Sequence, residues 1–550
     1  MNVQIRPANA FGGAWSRRLI GTALGVVATG SGLAVAELLV GAIHGSTSPV
    51  IAVGQKVIDL VPPSLKNWAI ETFGTSDKTV LVVSTFILVF LAGIAIGELA
   101  MEGRRTAASI GALFISAVGV YAVLSRTNPT AVKVAPILVG GVVSVVVLWW
   151  LSPIIAGAMQ RDQTTAATNE AIATLGDTTS EPTLSYTPMV IPGFGSTDRR
   201  QFLTRGVGVA SVAVIAGGAG RLLQRRYSVS NERAALALPE ASSRPLTLPP
   251  NADLEVPGLS PFVTPNGEFY RIDTALVVPQ VSKDDWSLRI HGMVDNEIEL
   301  TFDDLLAREQ IEVYVTLACV SNPTGGPYVG NALWQGVRIA DLLAEAGVDP
   351  ASTQLLSTSA DGWTCGTPVS SLNDGRNALL AVAMNGEPLP AEHGYPVRMV
   401  VPGEYGYVSA TKWVVDWKFT TWEDEEAYWV PRGWSQIAPM KTMTRIETPD
   451  RSQTVAAGAV QIAGTAWAVH RGVSLVEIRV DGGEWMPAQL GGVPSPDTWR
   501  KWAVDIDLDA GEYEIEARTT DGAGNVETDD VADVAPNGAS GYDRLGLRVE

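Results

Sequence analysis

A single thiol stands where extended backbone gives way to a glycine-rich loop. The stretch is Leu317-Ala318-Cys319-Val320-Ser321-Asn322-Pro323, running through Gly325-Gly326 to Gly330-Asn331-Ala332-Leu333-Trp334. Val313, Val315 and Thr316 upstream are β-branched and favour a strand. The Gly, Pro and Asn downstream favour a loop. A thiol at such a junction can act on something bound above the sheet. Deprotonated, it is a soft ligand for a soft or high-valent metal. Taken alone, it reads first as a small buried hydrophobe. The other cysteine, Cys365 in Trp363-Thr364-Cys365-Gly366-Thr367, reads first as inert core, next as a neighbour of the site. Pairing with Cys319 ranks last, because it would destroy the ligand.

The surroundings of Cys319 carry a resemblance. The pattern Cys319-x-x-Asn322, Gly325-Gly326, Gly330-Asn331-Ala332-x-Trp334-x-Gly336-Val337 is similar to the molybdenum-cofactor loop of the sulfite oxidase family. Agreement continues through Met384-Asn385-Gly386-Glu387-Pro388-Leu389-Pro390 and His393-Gly394-Tyr395-Pro396-Val397-Arg398. Val400-Val401-Pro402-Gly403 and Lys412-Trp413 come next. The resemblance runs from about residue 264 to the end of the sequence. In that family one cysteine thiolate binds molybdenum, which a pterin dithiolene also holds.

The resemblance implies one Mo-molybdopterin per chain, with Cys319 as the metal ligand. A high-valent metal deprotonates a coordinating thiol outright. For the anionic pterin tail it implies Arg398, which can make a bidentate pair with an oxyanion, together with His393 and Lys412. Ser409, Ala410 and Thr411 would add backbone or hydroxyl donors, and Asn322 belongs to the loop itself. Tyr270, Arg271 and Asp273 match a further cofactor-side segment, with Arg271 also a candidate for an oxyanion substrate. Asp361-Gly362 matches where the family presents another carboxylate, although an Asp-Gly pair is also an ordinary turn.

Two departures bear on the reaction. Asp273 replaces a family histidine. Between Gly403 and Lys412 the sulfite-oxidising members carry another arginine, whereas Glu404-Tyr405-Gly406-Tyr407-Val408-Ser409-Ala410-Thr411 has none and adds a carboxylate. Tyr405 and Tyr407 suit a neutral, partly apolar substrate.

The elements around these residues divide by charge. Residues 1–226 hold 17 Lys+Arg against 11 Asp+Glu, and residues 227–550 hold 22 against 47. The basic part is also the apolar part. A body this acidic offers no phosphate-binding patch and excludes nucleic acid as partner. Two cysteines make no disulfide framework.

Four apolar runs reach the roughly 20 residues a bilayer requires: Leu19–Ile43, Thr79–Met101, Ala107–Leu124 and Val134–Ile155. Arg17, Arg18, Arg104, Arg105 and Arg161 fall on one side, which the positive-inside rule makes cytoplasmic. Lys56, Lys66, Lys78, Arg126 and Lys133 lie on the other. Glu37 and Glu98 sit near run ends and read as interface residues. Residues 1–160 are thus expected as a four-helix anchor in the cytoplasmic membrane, with lipid as a partner. Residues 161–226 are expected as a cytoplasmic linker (162–197) leading into Thr197-Asp198-Arg199-Arg200-Gln201-Phe202-Leu203 and the apolar run Gly206–Gly220. That segment resembles a twin-arginine export signal and also reads as a fifth span. On either reading, the residues beyond about 226 lie outside the cytoplasm.

The Pro- and Ser-rich residues 227–263 read as a tether. Residues 264–440 mix strand-like and helical runs, with an N-cap at Thr301, and are expected to be an α+β molybdopterin domain. From 441 to 550, short strands alternate with turn signals such as Asp481-Gly482 and Asp521-Gly522, which predicts an immunoglobulin-like β-sandwich. The fold class is thus multi-domain: an all-α transmembrane bundle, an α+β body and a sandwich. The resemblance makes the sandwich a homodimer interface.

No Cys-x-x-Cys-His or Gly-x-Gly-x-x-Gly occurs, and no histidine lies within a span, His44 being at the lip of the first. Haem, flavin and nicotinamide are therefore not expected, and electrons must pass through a separate partner, a cytochrome or a quinone-linked carrier. The implied function is two-electron oxygen-atom transfer on a small S- or N-centred substrate: sulfoxide or N-oxide reduction, or sulfite oxidation. A rival reading is a catalytically inactive cell-surface binder using the sandwich. Intact Cys319, Arg398 and Lys412 weigh against it. A transporter is weaker still, since the spans lack charged or broken helices.

Overall fold

The computed structural model describes residues 12–550 except 44–45, 47, 63–64, 66–67, 70–71, 74–75, 126–130, 176–195, 226–227 and 246. Lys66, Arg126 and most of the expected linker therefore lie outside the described residues. The chain divides into two compact units, Met1–Ser228 and Val229–Glu550.

Long apolar runs with no polar face make helices that hide backbone polarity within themselves. In the first unit these are Gly12–Ala42, Asp77–Met101, Arg105–Leu124 and Ala131–Leu175. Four segments, Arg18–Ala42, Lys78–Met101, Arg105–Leu124 and Ala131–Pro153, are long and apolar enough to cross a membrane. Their packing places small residues inside: a Cβ on Gly25 would lie 1.8 Å from Gly93 O, and one on Gly97 1.8 Å from Gly21 O. Phe86, Leu88, Phe114 and Trp149 face outward. Small residues within and large apolar ones outside is the arrangement that suits lipid.

Three features differ from expectation. The fourth run does not stop near residue 155; its helix continues to Leu175, into the expected linker. An additional helix, Pro49–Leu60, comes after the first span, started by Pro49 at its first turn and by Ser48 Oγ accepting from Ile51 N. Arg199 and Arg200 lie on the helix Ser196–Arg225, whose apolar part, Thr204–Gly220, is shorter than the four long segments. The side chains of that arginine pair are outside the described residues.

The second unit is β-rich. Ile298–Thr301, Ser287–Gly292, Val414–Thr420, Gln354–Ser359 and Thr364–Pro368 form one sheet in that order. Ile311–Ala318, Val329–Arg338, Leu379–Met384 and Glu387–Pro388 form another, with Arg398–Val400 paired to Leu379–Met384. The helices Phe302–Leu306 and Ile339–Ala346 cover a core that includes Trp286, Leu342, Leu380 and Trp417. Thr301 is the N-cap, in a capping box with Asp304.

Residues 229–263 are not a free tether. Phe262 is fully buried, Ser242 N donates to Gln310 O, and Gln335 Nε2 donates to Pro239 O. From Met443 onward two sheets face each other. Ile446, Val460 and Ile462 of one share a core with Val476, Ile478, Ile515 and Leu545 of the other, closed by Trp502. Asp481 and Gly482, at φ of 49° and 69°, make the tight turn that the Asp-Gly pair signals.

Candidate functional site

Antiparallel pairing of Ile311–Ala318 with Val329–Arg338 ends at Ala318 opposite Val329, so the chain leaves the sheet at Cys319. The loop closes on itself: Cys319 N donates to Tyr328 O at 2.9 Å, and Tyr328 N donates to Asn322 Oδ1 at 2.7 Å. Cys319 is a free, half-buried thiol, with Ser321 N 3.4 Å from Sγ. Burial pushes its pKa up, opposed by the Ser321 donors. Asn322 Nδ2 is buried and makes no hydrogen bond. The Tyr328 donor fixes that amide's orientation.

Arg398, His393 and Lys412 lie close enough to act on one another, and Tyr270 links Arg398 to this loop. Arg398 is 5 % exposed, donates from Nη1 to His393 O at 3.0 Å and stands 4.9 Å above the Trp334 ring. Burial lowers its pKa to about 10; Tyr270 opposes this, and among the described residues no carboxylate does. A buried charge with no counter-ion carries a desolvation cost of several kcal/mol, more than a purely structural role would repay. Tyr270 lies close enough to feel both Arg398 and Cys319. Burial raises its pKa, the Cys319 charge raises it further, and Arg398 opposes both.

Lys412 pairs with Asp273 Oδ2 at 2.8 Å and donates to Glu392 O at 3.2 Å; burial lowers its pKa to about 8. Asp273 also accepts from Arg271 Nε at 3.0 Å, and the Arg271 side chain is 39 % exposed. His393 donates from Nε2 to Asn266 O at 3.0 Å. Burial first, then Arg398, lowers its pKa to about 4, so it is neutral at neutral pH. Gly394, at φ +114°, turns the chain so that Arg398 and Lys412 pair side by side; a Cβ there would meet Arg398 Cβ at 3.0 Å.

The segment 404–411 corrects several expectations. Ser409 Oγ donates to Glu404 O and Tyr405 O, Ala410 N to Gly406 O, and Thr411 Oγ1 shares a hydrogen bond with Ser357 Oγ. Ser409 Oγ and Ala410 N are thus spent on the 3-10 turn Gly406–Val408, while Thr411 Oγ1 is engaged by the strand Gln354–Ser359. Glu404 goes to Ser371 Oγ at 2.7 Å and Arg376 Nη1 at 3.6 Å, not to Cys319, and burial raises its pKa. Tyr405 is buried against Gly538. Gly406 closes on the cysteine loop: a Cβ there would lie 3.6 Å from Ala318 O and 3.7 Å from Tyr270 Oη. Tyr407 donates to Ser435 O and packs on Trp434, which packs on Trp429. Asp361 Oδ1 accepts from Trp363 N in its own turn, which Ala360 N ties to Trp413 O. Cys365 is buried among Thr367, Ser357 and Thr411, its pKa raised by burial to about 11.

The Oxidoreductase molybdopterin binding domain family matches residues 275–429. "Uncharacterized oxidoreductase YuiH" of Bacillus subtilis is 36% identical over 149 residues, covering 27% of this chain and 72% of that protein. The chain belongs to the sulfite oxidase family of molybdopterin-dependent oxidoreductases. Human "Sulfite oxidase, mitochondrial" is 29% identical over 351 residues, 54% of this chain and 63% of that protein. The chain thus spans less than two thirds of that sulfite oxidase. The solved sulfane dehydrogenase SoxCD of Paracoccus pantotrophus aligns at 24% identity with a TM-score of 0.47, covering 55% of this chain and 86% of that one.

A family cofactor of this kind asks for a thiolate, a cation for its phosphate and polar donors. The residues present fit. Cys319 is free, Arg398 is a buried guanidinium without a carboxylate, and Asn322 Nδ2 is a buried donor with nothing to donate to. Sequence reasoning missed Asn266, which holds His393, and Trp434 and Trp429, which pack in series on Tyr407. Trp334 belongs to the cysteine-loop pattern, but no sequence signal marks it as the platform under Arg398.

Proposed function

We propose that this chain holds one Mo-molybdopterin at Cys319 and catalyses two-electron oxygen-atom transfer on a small S- or N-centred substrate. The observation that carries this is the free Cys319 thiol in a loop flanked by a buried guanidinium lacking a carboxylate. The bound cofactor would supply the two-electron redox chemistry. Cys319 would hold it, Arg398 would pair with its phosphate tail, and Asn322 Nδ2 would donate to it. Neutral His393 would keep Arg398 in place through its carbonyl, and Lys412 would stay oriented by Asp273. Tyr270, Arg271, Asp361, Ser409, Ala410 and Thr411 complete the proposed shell, the last three through shape rather than free donors. Elemental analysis of the full chain, purified in detergent from a cofactor-competent host, tests this. About one molybdenum per chain is expected; its absence rejects the reading.

The preferred substrate is a neutral oxide, reduced by two electrons and two protons to the free sulfide or amine and water. Sulfite is a dianion, and residues 404–411 bring no arginine to it. Arg271 is already engaged by Asp273. One missing charge-assisted hydrogen bond costs roughly 1.5–3 kcal/mol, about 10- to 150-fold in binding. Tyr407 and Trp434 beside Gly406 add apolar surface instead. Dye-linked assays should give a higher kcat/KM for a sulfoxide or N-oxide than for sulfite; the opposite ranking refutes the preference.

The same reading makes the chain an exported, multi-pass protein of the cytoplasmic membrane with residues 264–550 outside. It exchanges electrons with a separate cytochrome or quinone-linked carrier. The C-terminal sandwich is proposed as an immunoglobulin-like module that pairs two chains. An inactive surface binder has no observation in its favour.

A further inference from the structure

Glu447 is 8 % exposed at its side chain and Lys501 is fully buried, both inside the C-terminal sandwich. Arg445 joins them: its Nε and Nη2 donate to Glu447 Oε1 at 3.1 and 2.5 Å. Thr465 Oγ1 and Ser260 N also donate to Glu447, and Lys501 Nζ donates to Ser260 Oγ and Thr465 Oγ1, each at 2.8 Å. Such a buried ionic group is poor at adding stability, because desolvation consumes the attraction. It is good at fixing geometry, because only one arrangement satisfies every charge.

What that geometry holds is the cysteine loop. Arg445 Nη1 donates to Gly326 O at 3.2 Å. Gly326 N donates to Pro323 O, and a Cβ on Gly326 would lie 2.7 Å from Asn322 Oδ1, the atom that receives Tyr328 N. Tyr328 O receives Cys319 N. The incoming strand is held from the same sandwich: Trp499 N donates to Thr316 Oγ1 at 2.7 Å, and Thr316 N donates to Asp497 O at 3.0 Å. Lys501 lies 4.1 Å over the Trp499 ring. The loop is therefore held by Arg445 of the charged cluster, and the strand leading into it by Trp499 and Asp497, with Lys501 of the cluster over the Trp499 ring.

We propose that Arg445, fixed by Glu447 and Lys501, is a positioning residue for the Cys319 thiolate, acting through Gly326 and the Asn322 turn. This rests on the proposed molybdenum site for its functional consequence, but the loop contact stands apart from it. The sandwich thereby shapes the site as well as pairing chains.

The full chain is compared as wild type, Arg445→Met, Arg445→Lys and Arg518→Met. The last breaks a sandwich ion pair with Glu477 that does not touch the loop. Two readings are taken: the Mo(V) electron paramagnetic resonance signal per loaded molybdenum, and the rate of Cys319 alkylation by iodoacetamide in cofactor-free protein. Buried Cys365 is the internal reference. Arg445→Met should shift the resonance, speed Cys319 alkylation severalfold and lower kcat per molybdenum about 10- to 100-fold, as loss of an outer support does. Arg445→Lys keeps the charge without the fork and should fall between. Arg518→Met should match wild type. Unchanged resonance and alkylation in Arg445→Met, or equal changes in Arg518→Met, overturn the proposal. If Arg445→Met does not fold, Arg445→Lys decides by the same readings. A wild type without molybdenum defeats the cofactor reading, and the alkylation arm still decides this one.

Discussion

Arg398 is a charge the fold would be better off without. It is buried, and its pKa is held down to about 10 by burial. Its partners are the carbonyls of His393 and Met399 and the Trp334 face. Removing the buried charge relieves a desolvation cost of several kcal/mol, which exceeds the roughly 1–3 kcal/mol lost by leaving a carbonyl without its donor. Arg398→Met should therefore leave the thermal transition of cofactor-free protein unchanged or higher. The same variant should retain about 10- to 150-fold less cofactor, the value of one charge-assisted bond. Arg398→Lys should not rescue it, because an ammonium lacks the planar fork. A thermal scan and elemental analysis read both halves, and a large fall in melting temperature would make Arg398 structural. Residue type and motif spacing single out Cys319, Arg398 and Lys412 in the sequence, and their roles toward a cofactor remain part of the proposal. Ser409, Ala410 and Thr411 were not legible as spent donors. Where a donor points depends on the local fold: the turn takes Ser409 Oγ and Ala410 N, and Thr411 Oγ1 shares a hydrogen bond with Ser357 Oγ of a neighbouring strand.

Elements were legible where one physical period dominates. Hydropathy located the four long helices, and turn pairs such as Asp481-Gly482 located the sandwich strands. Composition misread residues 229–263, since Pro and Ser do not reveal that Phe262 fills a core. It also gave no sign of Glu527, a carboxylate between the two sheets of the sandwich. Glu527 accepts from Thr444 N and Oγ1 and from Thr519 N, at 3.2, 3.0 and 2.9 Å. Burial outweighs these donors, with Asp543 adding to it, and the pKa rises from 4.5 to about 8. Between those values the folded chain keeps a proton that the unfolded chain releases. Folding then takes up a proton, so this stabilisation is complete below about pH 4.5 and is lost as pH rises towards 8. Glu527→Gln leaves one amide facing a donor, costing roughly 1–3 kcal/mol, but it abolishes the titration. The melting temperature of wild type minus that of Glu527→Gln should therefore fall as pH rises from 5 to 8. A flat difference would mean that Glu527 is ionised throughout.

At the scale of the whole molecule, the site is built from distant parts of one chain. Tyr270, Cys319 and Arg398 meet only when the body is folded, and Arg445 and Trp499 reach the cysteine loop only when the sandwich is made. A chain threaded unfolded across a membrane could not carry a cofactor already seated among these residues. The proposed export of a finished body would call for a route that accepts folded cargo, and Arg199-Arg200 before Phe202-Leu203 resembles the signal for one. The apolar segment after it, Thr204–Gly220, is shorter than the four long helices. Replacing both arginines with lysine keeps the positive charge that sets topology while removing the guanidinium pair. Added protease should then no longer reach residues 264–550 from outside the cell, although the upstream helices insert and the retained protein still binds molybdenum. If accessibility is unchanged, the pair acts only through its charge, and the cofactor must then be inserted after the chain has crossed.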